Sequence, residues 1–135
     1  MKMRFIVTSG PVIIEGGKLL VNRGDKDDFY KLPGGTVEEG DSLYDACIRE
    51  VREEINAEIE IIKPLNPLII YKNPQSGEKM TIVLIHYLAK LKNKDKIRAI
   101  APIKEIKWIN ISEIKKEKYK IAPNIKFLIE QGDIK

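Results

Sequence analysis

Two rhythms of apolar and polar residues divide the chain. Phe5 to Ile14 and Lys18 to Val21 are dense in branched and aliphatic residues at strand length. Between them Glu15-Gly16-Gly17-Lys18 reads as a hairpin, since Gly-Gly supplies the positive φ that tight turns need. Gly24 to Asp28 is a charged loop. From Leu43 the period changes: Leu43, Tyr44, Cys47, Ile48, Val51 and Ile55 recur three and four apart, predicting a helix over 43–55 with this stripe against a sheet. Ser42 and Asp45 form a capping box at its start. Glu58 to Tyr71 and Met80 to Leu91 return to strand character, separated by the turn Asn73-Pro74-Gln75-Ser76-Gly77. Lys92 to Arg98 is a basic loop, Lys104 to Ile109 a further strand. A short helix starts at Ser112 and a last one at Pro123 or Asn124, running to about Gln131. Strands interleaved with helices predict an α/β fold, and no repeat or linker divides residues 1–135, so one domain is expected.

Composition narrows the class. The chain is 43% hydrophobic and 33% charged, the balance of a packed globular protein and not of a disordered one. No apolar run approaches the ~18 residues of a membrane span. Met1 to Val7 lacks a long apolar region or small-residue cleavage site, so no signal peptide is expected. The one cysteine, Cys47, has no partner for an internal disulfide, consistent with a cytoplasmic setting. It lies in the helix's apolar stripe and reads as core. The one histidine, His86, shares a strand face with Ile82, Leu84 and Leu88 and is expected to be packed and hydrogen-bonded; Trp108 reads as a core anchor. The net charge of +4 favours anionic ligands, phosphates and nucleic acid among them.

The chemistry concentrates in residues 34–57. A glycine turn, Gly34-Gly35, leads into the helix, where Glu50, Glu53 and Glu54 crowd one arc, at about −100°, −160° and −60° from Val51 on a 100° wheel. Like charges so close repel unless a cation sits over them. Carboxylate oxygens suit a hard divalent ion such as Mg²⁺, which is held by a few carboxylates plus waters and substrate phosphates.

This stretch resembles the signature of the Nudix hydrolases, which cleave nucleoside diphosphates linked to a further group. Their pattern reads Gly, five residues, Glu, seven residues, Arg-Glu, an aliphatic, any residue, Glu-Glu, any residue, Gly, an aliphatic. Gly35 opens it here, and Arg49-Glu50-Val51-Arg52-Glu53-Glu54 matches in register. The flanking Leu19 to Arg23 and Tyr30-Lys31-Leu32-Pro33 are also similar to the family, with Tyr30 where tryptophan is common. Asp41 replaces the first Glu, Asn56 the last Gly, and Ala57 the last aliphatic. Asn tolerates the left-handed conformation and can still end the helix. Asp41 keeps the charge but loses a methylene, so it either steadies Arg49 or fails to reach a metal.

The resemblance implies an α/β/α sandwich with a mixed β-sheet and a metal-dependent pyrophosphohydrolase. It implies Glu50 and Glu54 as main ligands of Mg²⁺ (or Mn²⁺), Glu53 as a further ligand and the Gly35 carbonyl beside them. Glu50, oriented by Arg49, is the expected base, with Glu105 the rival from a later segment. The substrate is expected to be of nucleotide type, a nucleoside triphosphate or ADP-ribose. Two other readings keep the site: a nucleotide sensor that binds without turnover, and an enzyme acting on RNA 5′ ends, using the basic surface. Pairing into homodimers is common in the family, and no membrane partner is expected.

Overall fold

The computed structural model describes residues 4–135, so the leader reading at Met1–Met3 lies outside the described residues. Its spine is β6 (Lys79–Leu91), parallel to β1 (Phe5–Glu15) with Phe5 opposite Thr81 and Ile13 opposite Ala89. On the other side of β1 comes β2 (Lys18–Gly24), entered through Gly16 and Gly17 at φ 56° and 75°, and then β7 (Ile103–Asn110). β4 (Ile59–Pro64) and β5 (Leu68–Lys72) both pair antiparallel with β6, at its two ends. A two-residue strand, β3 (Gly35–Thr36), lies antiparallel to β1. The sheet is mixed, as expected.

Two differences from the sequence reading have physical causes. The expected strand 58–71 is two strands, because Pro64 and Pro67 bracket a break: proline has no N–H for the ladder and restricts the residue before it. β3 was not expected, since two residues carry no periodicity; its pairing to β1 is wholly tertiary.

Helix α1 (Leu43–Ile55) forms where the stripe placed it. Ser42 Oγ accepts from the Asp45 N–H at 3.0 Å, and Asn56, at φ 55°, ends the helix with its N–H on the Arg52 carbonyl. An N-cap bond of this kind contributes ~1 kcal/mol. Cys47, Val51 and Ile55 pack on Ile13, Leu20 and Ala89, each fully buried aliphatic contributing roughly 1.5–3 kcal/mol. The stripe's first turn departs from expectation. Leu43 and Tyr44 are exposed, although the Leu43 carbonyl accepts from Ser9 Oγ of β1 and the Tyr44 ring meets Tyr87 of β6 edge-on at 6.2 Å. On the opposite face α2 (Ile111–Lys115) and α3 (Pro123–Glu130) bury Ile111, Ile114, Ile125 and Leu128 against Val12, Leu19 and Val21. The result is an α/β/α sandwich. Trp108 packs against the α1-side cluster while Lys94 covers its ring at 5.0 Å. Among the described residues no helix is long and apolar enough to cross a membrane.

His86 is packed as expected, 4% exposed, with Nδ1 3.2 Å from the Gly10 carbonyl and Nε2 3.0 Å from Asn124 Nδ2. Burial pushes its pKa down to about 4, against the Gly10 contact, which raises it. The folded chain therefore refuses a proton that the unfolded chain accepts. This contribution is complete above the ordinary histidine value near ~6.5 and is lost as pH falls towards about 4, to a total of about 3 kcal/mol. Urea midpoints at pH 7 and pH 4.5 should fall further in the wild type than in His86→Gln. Equal drops in both would refute the assignment.

Candidate active site

The site starts from a close approach of backbone to backbone. The loop Pro33-Gly34 lies flat on β1 at Ser9-Gly10. A Cβ on Gly10 would overlap the Pro33 carbonyl and stand 2.9 Å from Gly34 Cα. Gly34, at φ 143°, would meet Ser9 O at 2.6 Å with a Cβ of its own. Only glycine fits both positions. The loop's reward is an inward N–H: Gly34 donates to Glu54 Oε1 at 2.6 Å. One residue on, a Cβ on Gly35 would stand 2.5 Å from the Glu50 carboxyl carbon, so Gly35 leaves the room that Glu50 fills.

Arg49 organises the rest. It donates to Asp41 Oδ2 at 2.7 Å, Glu50 Oε1 at 2.9 Å, Glu53 Oε2 at 3.3 Å and the Thr36 carbonyl at 3.4 Å. The shorter Asp41 therefore does reach Arg49, and the guanidinium holds its carboxyl below the usual range, helped by the Glu38 N–H. Burial raises the Glu50 carboxyl, with Arg49 acting in the opposite sense. Glu54 is the most perturbed acid of the arc: burial pushes it up to about 7, although the Gly34 N–H and Lys31 favour its charged form. Glu53 remains largely in solvent, its side chain 60% exposed.

Among the described residues no three acidic, histidine or cysteine side chains converge on one point. Glu50 and Glu53 turn to Arg49, and Glu54 to Gly34. The donor set nonetheless fits a hard divalent cation. It is all oxygen, and Glu54 is a buried carboxyl whose negative charge lacks a full counter-charge, the situation an ion relieves.

Glu105 is not brought to this arc. It pairs with Arg23 across β2–β7 (2.5 Å) and accepts from Tyr30 Oη at 3.1 Å. Its strand neighbour Ile106 packs with the α1 cluster, so strand alternation points Glu105 to the opposite face of the sheet. Arg23, its largest influence, lowers its pKa, the reverse of what a base working near neutrality needs.

Sequence reasoning missed Asp27. It is 5% exposed and accepts from Gly24 N at 2.7 Å, from Lys31 Nζ at 3.3 Å and from Gln75 Nε2 of the β5–β6 turn. In sequence it is one acid among several in a charged loop, and nothing marks it. Beside this tie lies a cavity of about 290 Å³, its wall including Gly34, Gly35, Ile82, Leu84, His86 and Asn124.

The NUDIX domain family model matches residues 5–130. The chain belongs to the Nudix family. An RNA pyrophosphohydrolase from Wolbachia pipientis subsp. Culex pipiens is 29% identical, with 78% of both chains covered. The fold is shared with the MutT protein from Methanosarcina mazei Go1, at a TM-score of 0.81 and 17% identity over 98% of this chain and 96% of that one. It is also shared with a bifunctional NMN adenylyltransferase/ADP ribose pyrophosphatase from Francisella tularensis, complexed with AMP and a Mn ion. There the TM-score is 0.67 and the identity 21%, over 96% of this chain and 42% of that one. This Nudix protein belongs to a family of hydrolases of nucleoside diphosphate derivatives that generally uses divalent metal ions. The Nudix signature sits on Gly35, Arg49, Glu50, Glu53 and Glu54, the residues that the loop and α1 assemble here.

Proposed function

We propose that residues 1–135 form a single Nudix domain that hydrolyses a small nucleotide, a nucleoside triphosphate or ADP-ribose, at this site. One observation carries the reading. The glycine pair that holds Glu54 and Glu50 also lines a cavity sized for a nucleobase, so phosphates and base have adjoining places. Glu50, Glu53 and Glu54, with the Gly35 carbonyl, hold Mg²⁺, for which Mn²⁺ can substitute. Bound there, the ion neutralises phosphate charge and acidifies water.

The chain's own residues do the remaining work. Arg49 orients Glu50 from one side while Asp41 fixes the guanidinium from the other. Glu50 takes the proton of the attacking water as its oxygen bonds to phosphorus; the P–O anhydride bond breaks and the bridging oxygen leaves with the departing phosphate. The part-buried setting of Glu54 weakens solvent screening of its charge contacts.

A second reading follows from the Wolbachia relative, which is an RNA pyrophosphohydrolase: the base in the cavity would be the first nucleotide of a 5′-triphosphorylated RNA. One panel decides between them. It holds ADP-ribose, diadenosine polyphosphates, normal and oxidised nucleoside triphosphates, nucleotide sugars and a 5′-triphosphorylated oligonucleotide, each with Mg²⁺, Mn²⁺ or chelator. Metal-dependent cleavage of a free nucleotide, read by chromatography of its mononucleotide product, is the expected result. Preference for the oligonucleotide, with affinity falling steeply with salt, establishes the RNA reading instead. No cleavage of any member refutes both.

A further inference from the structure

His86 and Asn124 both line the cavity, and their contacts fix a direction. The Gly10 carbonyl can only accept, so His86 Nδ1, 3.2 Å away, must carry the ring's hydrogen. In a neutral ring Nε2 is then a bare acceptor. The Asn124 atom 3.0 Å from it must be the amide nitrogen, whichever way the carboxamide is drawn. That leaves Asn124 Oδ1. Among the described residues it takes no hydrogen bond, and it is not sealed off as the unpartnered amide of Asn22 is. The residue itself is 7% exposed and lines the cavity, and Pro123 and the buried Ile125 set its backbone at the start of α3. Several other polar groups of the wall are already engaged: Ser9 on the Leu43 carbonyl, Lys31 and Gln75 on Asp27, Asn73 on the Gln75 N–H.

We propose that His86 is a positioning residue that turns the Asn124 carbonyl oxygen into the cavity, so that the site prefers a base whose edge presents an amino group. The proposal rests on the nucleotide reading above and deepens it. Between apolar walls such as Ile82 and Leu84, a lone acceptor left without a donor is penalised. A base with the amino group should therefore bind on the order of 10- to 100-fold tighter than its analogue without it.

Paired nucleoside monophosphates read this directly: adenosine against purine riboside monophosphate, and guanosine against inosine monophosphate, by titration calorimetry. The wild type should favour the amino-bearing member of at least one pair. His86→Leu and Asn124→Leu should both lose the preference, and His86→Gln, whose carboxamide oxygen can again accept from Asn124, should regain part of it. Circular dichroism establishes that each variant is folded. Because the chain has one histidine, its imidazole ¹⁵N shifts report a single ring, expected protonated at Nδ1 and bare at Nε2. Equal affinities within both pairs, a proton on Nε2, or a folded His86→Leu that keeps the preference would each overturn the proposal. Triphosphate turnover run in parallel keeps the two ideas apart: binding preference without turnover leaves this inference standing and removes the hydrolase reading of the pocket.

Discussion

Glu54→Gln should lose turnover by at least ~100-fold while the protein becomes more stable. Glutamine keeps the carbonyl oxygen that accepts the Gly34 N–H at 2.6 Å, so the loop over β1 retains its anchor. It removes the negative charge that a divalent ion and the phosphates beside it require. The stability gain follows from linkage. Burial raises the Glu54 carboxyl from 4.5 to about 7, so its contribution is present below pH 4.5 and is lost as pH rises through 7. In metal-free buffer the variant should pull ahead over that window, reaching about 3 kcal/mol at pH 8. Adding Mg²⁺ should narrow the gap, because the ion stabilises only the protein that keeps the charge. Wild-type turnover in Glu54→Gln would remove Glu54 from the site, and a variant less stable than the wild type at pH 8 would refute the linkage. Glu53→Gln should also abolish turnover, but without the stability gain, since Glu53 lies in solvent.

Gly10→Ala should be the most damaging small change, although residue 10 lies outside the signature. A methyl there overlaps the Pro33 carbonyl and crowds Gly34 Cα at 2.9 Å, and both obstacles are backbone. Overpacking against a framework that cannot rotate away costs about 3 kcal/mol, which for a chain of this size lowers the melting temperature by roughly 10 °C. Lifting the loop also moves the Gly34 N–H from Glu54 and the Gly10 carbonyl from His86, so activity should fall with stability. A thermal melt and a nucleotide-cleavage assay check both. An unshifted melt would mean that the loop does not lie where the structure puts it.

How much of this was legible beforehand varies with the range of the physics. Helix α1 is local: its stripe, the Ser42 cap and the Asn56 stop all lie within 42–56, and the helix formed where the spacing put it. The break at Pro64–Pro67 was legible in principle, yet the density of isoleucines in 58–71 outweighed two prolines that should have ended a strand. The exposure of Leu43 and Tyr44 was not legible, since periodicity orients a helix but does not say how fully its first turn is covered.

The site divides along the same line. Sequence by itself determined the Nudix signature, with Arg49, Glu50, Glu53 and Glu54 on one helix, because a helix converts spacing into position over two turns. It left open whether Asp41 reaches Arg49 and whether Glu105 joins the arc. Tertiary structure decided both. Asp41 meets Arg49 because the turn over residues 38–41 folds back on α1, and Glu105 is held away because β7 alternation and the Arg23 pairing put it on the other face. Only the packed fold could place Gly10 under Pro33, Gln75 on Asp27, or His86 against Asn124. These contacts join residues 23 to 48 positions apart, and no local preference of the chain encodes them.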